Sequence, residues 1–321
     1  RMLKRYEEQG RQKPIDLVGL ALLVLFVGSL QLMVDLGKDH AWFQSPMIVS
    51  LAVIAAAGFV VFLIWELTEA NPIVDLRVFR HRGFTASVTT LTLAFGAMFA
   101  ANVLTPLWLQ SHMGYTSTWA GMTTAWQGVL AVFAAPVVGA RMAKVEPRRL
   151  VFVGLIWLSS MTALRAFITN DATYWQIAIP LMLMGLGLPF FFVPLTALSL
   201  GSVAPHETAS AAGLQNFLRT FSGAVATSLV QTAWEDKTTY AHAELSGLSD
   251  ANGEAIGALM RTGMSKPEAL LSLGRLVDAQ SVMIATNQIM LSVALAFFAA
   301  ALIIWLAPKP ARAVSMAEAG H

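Results

Sequence analysis

Cysteine is absent from this stretch of chain, and charged residues make up only 12% of its 321 positions. The lack of cysteine excludes disulfides, thiol nucleophiles and cysteine-ligated metals. The scarcity of charge, beside 56% hydrophobic residues, leaves more apolar surface than one aqueous core could bury. Because a helix satisfies its own backbone hydrogen bonds in lipid, the composition predicts an all-α integral membrane protein.

The low net charge and the positions of the histidines disfavour two classes of function, nucleic-acid binding and enzymatic catalysis. The formal net charge is only +2, without the clustered basic residues that a nucleic-acid surface needs, so no nucleic-acid partner is expected. The six histidines fall in predicted loops or in the tail, and none pairs with another at metal-ligand spacing within a span. We therefore predict no metal site, no bound cofactor and no enzymatic activity.

Apolar runs alternate with short polar corners along the chain. Eight of these runs are long enough to cross a bilayer, which takes roughly 20 residues of helix. They cover residues 15–34, 46–65, 84–109, 119–139, 150–168, 174–200, 209–234 and 281–307. The sequence thus predicts eight membrane spans.

The polar segments predict the orientation of these spans. Alternate short loops carry an excess of Lys and Arg, which is typical of cytoplasmic loops, so both termini of this segment are expected in the cytoplasm. The cytoplasmic parts are then a head at 1–14, an interfacial linker at 67–83 and a tail at 308–321. Residues 235–279 are expected outside, where the capping-box pattern from Ser265 to Glu268 predicts a short amphipathic helix.

Four strings of residues carry a resemblance to a known family. They are SLQLMVDLGK (29–38), WELTEANPIVDLRVFRHRGFT (65–85), GYTSTWAGM (114–122) and PFFFVPLTALSLGSVAPHETASAAGLQNFLRT (189–220). Together they resemble the EmrB/QacA-type drug:proton antiporters, a fourteen-span group of the major facilitator superfamily. The resemblance implies a helical bundle of the major facilitator type, in which 84–307 is the C-terminal six-helix half and 15–66 holds two inserted accessory helices. It also implies an N-terminal half of the same protein, upstream of residue 1, with the proton-coupling residues.

The same resemblance implies that the spans at 84–109 and 174–200 line a central cavity. Helical spacing then suggests candidate substrate contacts on these spans, with one polar group on the span between them. These candidates are Phe95, Met98, Phe99, Asn102, Gln127, Met184, Phe191 and Phe192. Pro189 and Pro194 are expected to bend their helix toward the cavity. Aromatic and methionine walls suit varied apolar cations, although each aromatic could equally face lipid or pack in the core.

Arg219 is an unexpected charge ten residues into the span at 209–234. That position is roughly 15 Å along the helix axis, where a cation is costly unless it faces a cavity or a partner. Gln215 and Asn216 supply hydrogen-bonding capacity close by and are further candidates for the substrate pathway. We expect Arg219 to lie at a cavity or at the interface of the two halves. Arg165, near the outer end of its span, is expected to extend its guanidinium to the membrane interface.

A basic corner at 139–149 resembles a degenerate copy of the facilitator loop motif, whose basic residues latch neighbouring helix ends. The matching residues are Gly139, Arg141, Lys144, Arg148 and Arg149. The motif's usual aspartate is not present. A simple excess of positive charge in a cytoplasmic loop explains Arg148 and Arg149 nearly as well, so both interpretations stay open.

The sequence therefore predicts part of a proton-coupled multidrug efflux transporter of the bacterial inner membrane, which uses the proton gradient and exports amphipathic or hydrophobic toxic compounds by alternating access. Surrounding lipid and, by resemblance, a periplasmic adaptor protein with an outer-membrane channel are its expected partners. The alternatives are an exporter of a specific metabolite or lipid-like compound, and a transport-inactive membrane assembly subunit.

Overall fold

The computed structural model describes residues 16–37, 39–69, 72, 74–250 and 254–309. These ranges contain nine α-helices and no β-strand. The helices are α1 (Leu17–Gly37), α2 (Pro46–Thr68), α3 (Arg82–Ser111), α4 (Ser117–Met142), α5 (Pro147–Arg165), α6 (Tyr174–Gly201), α7 (Thr208–Asp250), α8 (Glu254–Arg261) and α9 (Lys266–Ile303). The predicted head at 1–14 and residues 310–321 of the predicted tail lie outside the described residues.

Six helices in the described part of the chain are long and apolar enough to cross a membrane. They are α1, α2, α3, α4, α6 and the last helical stretch, Lys266–Leu306. Helices α5 and α7 occupy the other two predicted spans but fall short in composition, because α5 carries three arginines and α7 has many hydroxyl and amide side chains. The transmembrane placement of α5 and α7 therefore stays a prediction.

The chain folds into two compact units. Unit 1 comprises the described residues up to Arg80 together with Ala204–Asn216, and unit 2 comprises His81–Val203 with the described residues from Phe217 onward. In unit 1, α1 and α2 pack against each other. Their contact includes the rings of Phe26 and Phe59, whose centroids lie 4.9 Å apart.

Asp16 fixes the start of α1 in unit 1. Its Oδ1 accepts the backbone N–H groups of Val18 and Gly19 at 3.1 and 2.9 Å, as an N-terminal cap does. Its Oδ2 accepts the indole N–H of Trp65 at 2.8 Å. The cap therefore also joins the start of α1 to the end of α2.

The predicted interfacial linker at 67–83 contains only one short 3-10 helix, Leu76–Arg80, among its described residues before α3 begins. Side chains direct this segment: the Glu66 carboxylate accepts the Val74 N–H at 3.2 Å, and Arg80 pairs with Glu207 at 2.5 Å. Pro72 has no backbone N–H to donate, so it disfavours a longer helix at this point.

Helix α3 lies at the centre of the unit 2 core. It packs against α4, α6 and α9, while α5 packs against α6 and α9. Leu91, Leu104 and Leu109 of α3 are fully buried together with Leu155 of α5 and Phe297 of α9. These side chains belong to one continuous apolar cluster, which also includes residues of α4, α6 and α7.

Helices α4 and α6 come into close backbone contact at Gly185. A Cβ placed on this glycine would collide with the backbone carbonyl oxygen of Gln127 and would lie 3.2 Å from the backbone nitrogen of Ala131. Only a residue without a side chain permits this backbone contact. The contact positions the wall of α4 that lines the cavity described below.

The predicted polar segment 235–279 differs from expectation. Helix α7 runs for 43 residues and α9 for 38, roughly 65 and 57 Å, so both exceed the roughly 30 Å of a bilayer core. The predicted capping box at Ser265 is confirmed, but it starts the long helix α9 rather than a short separate one. A different short helix, α8, precedes it. Polar composition marks exposure to water and does not by itself end a helix.

Side chains join the C-terminal half of α7 to the middle of α9. Trp234 donates to the Thr286 hydroxyl at 2.9 Å, and Lys237 donates to Gln288 at 2.9 Å. Further along, the ring of His242 lies 3.1 Å from the carboxylate of Asp278. The C-terminal half of α7 and the facing part of α9 therefore form a helix pair, which we call the paired extension.

Candidate functional site: an aromatic cavity with one arginine

A cavity of about 490 Å³ opens among four helices of unit 2. Its walls come from α3, α4, α6 and α7. The lining residues are Phe95, Met98, Ala131, Val132, Ala135, Leu188, Pro189, Phe191, Phe192, Val193 and Arg219. The volume lies within the roughly 300–1,000 Å³ range of small-molecule sites.

Arg219 lies against two aromatic rings of this cavity. Its guanidinium carbon is 5.4 Å from the ring centroid of Phe95 and 5.9 Å from that of Phe192. The two rings are themselves arranged edge to face, with centroids 5.6 Å apart. These distances are within the roughly 6 Å reach of a cation–π contact, which stabilises a cation in apolar surroundings.

Helical spacing explains how these side chains converge. Phe95 and Met98 are three residues apart on α3, and therefore share one face. On α6, Phe191 and Phe192 follow Pro189, which also lines the cavity. Helix α6 continues through Pro189 and Pro194, and the bend predicted at these prolines stays a prediction.

Small side chains on α4 make room for the cavity. Ala131 and Ala135 are four residues apart, so they stack on one face of that helix beside Val132. Sequence reasoning missed this wall and singled out only Gln127, one turn earlier. A repeat of small residues at helical spacing was the available signal, but it does not distinguish a cavity wall from a packed interface.

The cavity contains some of the predicted substrate contacts and not others. Phe95, Met98, Phe191 and Phe192 line it, together with Arg219. Phe99, Asn102, Gln127 and Met184 do not belong to its lining. Gln215 and Asn216 belong to unit 1, where the first is buried and the second is exposed.

Phe99 and Gln127 have other surroundings. Phe99 is 40% exposed, and its ring lies where a side chain on Gly223 would be, so the glycine accommodates it. Gln127 is 7% exposed, and its side-chain nitrogen has no hydrogen-bond partner among the described residues. A buried amide donor without a partner is costly, which makes Gln127 a candidate contact for a bound molecule or water.

The prediction for Arg165 is wrong. Its side chain does not extend to an interface: the residue is 4% exposed, and it donates to the hydroxyl of Thr105 and, at 3.8 Å, to the sulfur of Met184. Thr162 also faces that sulfur at 4.0 Å. The cause is tertiary packing, because α3 and α6 cover the end of α5 where the sequence alone suggested water or headgroups.

The basic corner contributes one residue that joins two helix ends. Arg148 is 6% exposed, donates at 2.6 Å to the backbone carbonyl of Ala307, and pairs with Glu146. Its guanidinium carbon also lies 5.7 Å from the ring centroid of Trp305. This geometry favours the latch interpretation for Arg148 over a simple excess of charge.

The other members of the predicted motif do not join helix ends. Arg141, Lys144 and Arg149 are exposed, and Gly139 has open space beside it. Arg149 adds a longer ion pair to Glu146, at 3.4 Å. The hydrogen bond from Arg148, with the charges of Arg148 and Arg149, holds the pKa of the Glu146 carboxyl below its ordinary value.

No group of three His, Asp or Glu side chains close enough to hold a metal ion occurs among the described residues. The cavity instead offers apolar and aromatic contact around one fixed positive charge. A lining of this kind suits the binding of a small, largely apolar molecule.

A comparison with known families identifies the family to which this helical fold belongs. The chain matches the model of the Major Facilitator Superfamily over residues 17–227. It therefore belongs to the major facilitator superfamily. With six helices of membrane-crossing length and composition, it is a multi-pass membrane protein.

Individual relatives narrow this assignment. The chain is 35% identical over 313 residues to the multidrug export protein EmrB of Escherichia coli (strain K12), covering 96% of this chain and 61% of the relative. It is 33% identical over 312 residues to the fatty acid resistance protein FarB of Neisseria gonorrhoeae, with 96% and 62% covered. It is also 33% identical over 317 residues to the probable multidrug resistance protein EmrY of Escherichia coli (strain K12), with 96% and 61% covered. The predicted resemblance to EmrB-type transporters is thus confirmed, and the chain spans about three fifths of the length of these relatives.

Proposed function

We propose that this chain is the C-terminal part of a proton-coupled multidrug efflux transporter that works by alternating access. In this proposal residues 84–307 form one six-helix half, residues 15–66 form two accessory helices, and 67–83 joins them at the cytoplasmic face. The observation that carries the proposal is the 490 Å³ cavity of aromatic and aliphatic side chains around Arg219. Similarity to relatives named for multidrug export supports it.

Transport is tested with the full-length protein in inside-out membrane vesicles. A fluorescent amphipathic dye should accumulate in the vesicles when a proton gradient is imposed, and nigericin, which dissipates that gradient, should abolish the accumulation. Accumulation unchanged by nigericin would contradict proton coupling. A complete absence of accumulation for every dye tested would favour a transport-inactive assembly subunit instead.

The cavity is tested separately by removing its aromatic walls. Phe95→Ala and Phe192→Ala should each weaken dye binding roughly fivefold, because about 1 kcal/mol of aromatic contact is lost. Phe298→Ala is the matched control, since Phe298 is an exposed phenylalanine on α9 outside the cavity lining. Equal effects of all three substitutions would place the binding site elsewhere.

A second candidate function is export of a lipid-like compound. It is favoured by the similarity to a relative named for fatty acid resistance and by the apolar character of most of the cavity lining. A transport panel of structurally unrelated dyes and long-chain amphiphiles separates the candidates. Transport of only the long-chain compounds would support the narrower function.

We further propose that the protein resides in the bacterial inner membrane with both termini of this segment in the cytoplasm. The excess of Lys and Arg in alternate short loops supports this orientation. A green fluorescent protein fused after residue 321 should fluoresce, and alkaline phosphatase at the same site should be inactive. The reverse result would invert the topology.

In that orientation, we propose, the paired extension of α7 and α9 projects outside the membrane and docks an adaptor protein that continues to an outer-membrane channel. A groove of about 530 Å³ on the extension supports this proposal. Its lining combines the charged side chains of Asp236, Lys237 and Glu244 with Tyr240, Gln288 and three aliphatic residues. Glu244→Lys should weaken co-purification of the adaptor without reducing dye binding, and unchanged co-purification would remove the groove from the interface.

A further inference from the structure

The start of α1 and the end of α2 bring two carboxyl groups together in unit 1. A methyl group added at Gly19 would collide with Oδ2 of Asp16 and would lie 3.0 Å from Oε1 of Glu66, so both oxygens face the same side of α1. Glu66 lies in the last turn of α2 and is only 1% exposed. One of the two carboxyl groups is therefore at a position that water scarcely reaches.

The two carboxyl groups differ in their hydrogen bonds. Both oxygens of Asp16 accept N–H groups, from two backbone positions of α1 and from the indole of Trp65. Such donors stabilise an ionised carboxylate. Oε2 of Glu66 accepts the Val74 N–H at 3.2 Å, but Oε1 is buried and has no hydrogen-bond partner among the described residues. A buried acceptor without a donor is costly, whereas a proton would turn this oxygen into a donor.

Negative charge surrounds Glu66. The described groups whose charge acts on its carboxyl are Asp16, Glu69 and Asp75. The arginines of the linker's 3-10 helix do not compensate them, because Arg77 is exposed and Arg80 pairs with Glu207. The other 3-10 segment packed against α2, Trp42–Gln44, has no titratable side chain. Like charges at a buried position favour one shared proton over two ionised carboxylates.

From this geometry we propose that Asp16 and Glu66 form a proton-binding site, in which Oε1 of Glu66 carries a proton at neutral pH and donates it to Oδ2 of Asp16. The proton comes from water and no other bond changes. An O–H group that donates to a carboxylate makes a strong hydrogen bond. With the proton bound, the pair joins α1 to α2 and, through Val74, to the linker. Loss of the proton leaves two adjacent negative charges, so the attachment of the linker depends on pH. The site is separate from the aromatic cavity and does not depend on the proposed efflux function.

Infrared spectroscopy of the purified full-length protein tests the protonation of Glu66. At about pH 7, the wild-type spectrum minus that of Glu66→Gln should show the carbonyl band of one protonated carboxylic acid. Glutamine suits this comparison because its amide can accept from Val74 and donate to Asp16, as the protonated acid does. Glu254→Gln, at an exposed glutamate of α8, is the matched control and should leave the band unchanged. The absence of an acid band from the first difference spectrum would overturn the proposal.

Asp16→Asn tests whether the proton is shared. Asparagine caps a helix as well as aspartate does, so the start of α1 should be preserved. Its amide removes the like charge and can donate an N–H to Oε1 of Glu66, which then needs no proton of its own. In a pH titration the acid band of Glu66 should disappear about one pH unit or more below the wild-type value. An unchanged titration in Asp16→Asn would overturn the shared proton.

Discussion

The guanidinium of Arg165, at the end of α5, donates a hydrogen bond to the hydroxyl of Thr105 near the C-terminal end of α3. Its second terminal nitrogen faces the sulfur of Met184 on α6 at 3.8 Å, and its Nε has no partner among the described residues. One hydroxyl and one thioether only partly compensate the desolvation of a buried guanidinium. The burial of Arg165 at this junction of three helices therefore costs folding free energy.

The first prediction concerns the loss of that hydroxyl. Thr105→Val keeps the shape of the side chain but leaves the guanidinium without its hydroxyl, so it should destabilise the protein by about 1–3 kcal/mol, measured as a lower thermal unfolding temperature of the purified protein. Thr239→Val, at an exposed threonine of α7, is the control and should change stability by less than about 0.5 kcal/mol.

A double substitution separates the charge from the packing. Arg165→Met replaces the guanidinium with an apolar side chain of similar length, and the effect of Thr105→Val should largely disappear in this background, since no buried charge is left without its partner. Additive effects of the two substitutions would show that Thr105 does not stabilise Arg165.

Arg165 also shows why part of the fold could be predicted from the sequence and part could not. The uncharged apolar run of 83–140 predicted α3 and α4 because little else satisfies such a composition. A single arginine near the end of a span, in contrast, is compatible with the membrane interface or with burial. Its burial depends on Thr105, sixty positions away in sequence, and no local pattern encodes that contact.

Part of the candidate site could likewise be predicted from the sequence, and part could not. Phe95, Met98 and Arg219 could be named in advance, because helical spacing and an intramembrane charge are visible in the sequence. The contribution of α4 could not, because it depends on the close approach at Gly185. That Arg219 lies over the rings of Phe95 and Phe192 was also not visible, because the contact joins three helices that are distant in sequence.

The second prediction concerns the close approach itself. Gly185→Ala places a Cβ against the Gln127 carbonyl and should separate α4 from α6, with a loss of about 1–3 kcal/mol in stability and weaker dye binding in the cavity. Gly128→Ala is the matched control, because Gly128 is also a helical glycine but has nothing within 4 Å of an added Cβ. Its substitution should be neutral or stabilise by up to about 1 kcal/mol. Equal tolerance of both would mean that the close contact does not hold the helices in register.

The third prediction concerns the latch at the basic corner. Arg148→Gln removes the hydrogen bond to Ala307 and the ion pair with Glu146, and it leaves a buried carbonyl without its charged donor. We expect a loss of about 1.5–3 kcal/mol in stability. Arg149→Gln is the control: this side chain is 68% exposed, so its ion pair should contribute less than about 1 kcal/mol. The contrast between the two thermal unfolding temperatures is the measurement, and a larger effect at Arg149 would contradict the latch.

The fourth prediction concerns the pH dependence of the same corner. The pKa of Glu146 is held below its ordinary value of 4.5, chiefly by the hydrogen bond from Arg148. A carboxyl whose pKa is lowered in the folded state contributes stability that is fully present above the ordinary pKa and is lost as the pH falls through the folded pKa. The thermal unfolding temperature of the wild-type protein should therefore fall below pH 4.5 more steeply than that of Glu146→Gln, which has no carboxyl to protonate at this position. Parallel curves for the two proteins would show that the Glu146 carboxylate does not stabilise the corner.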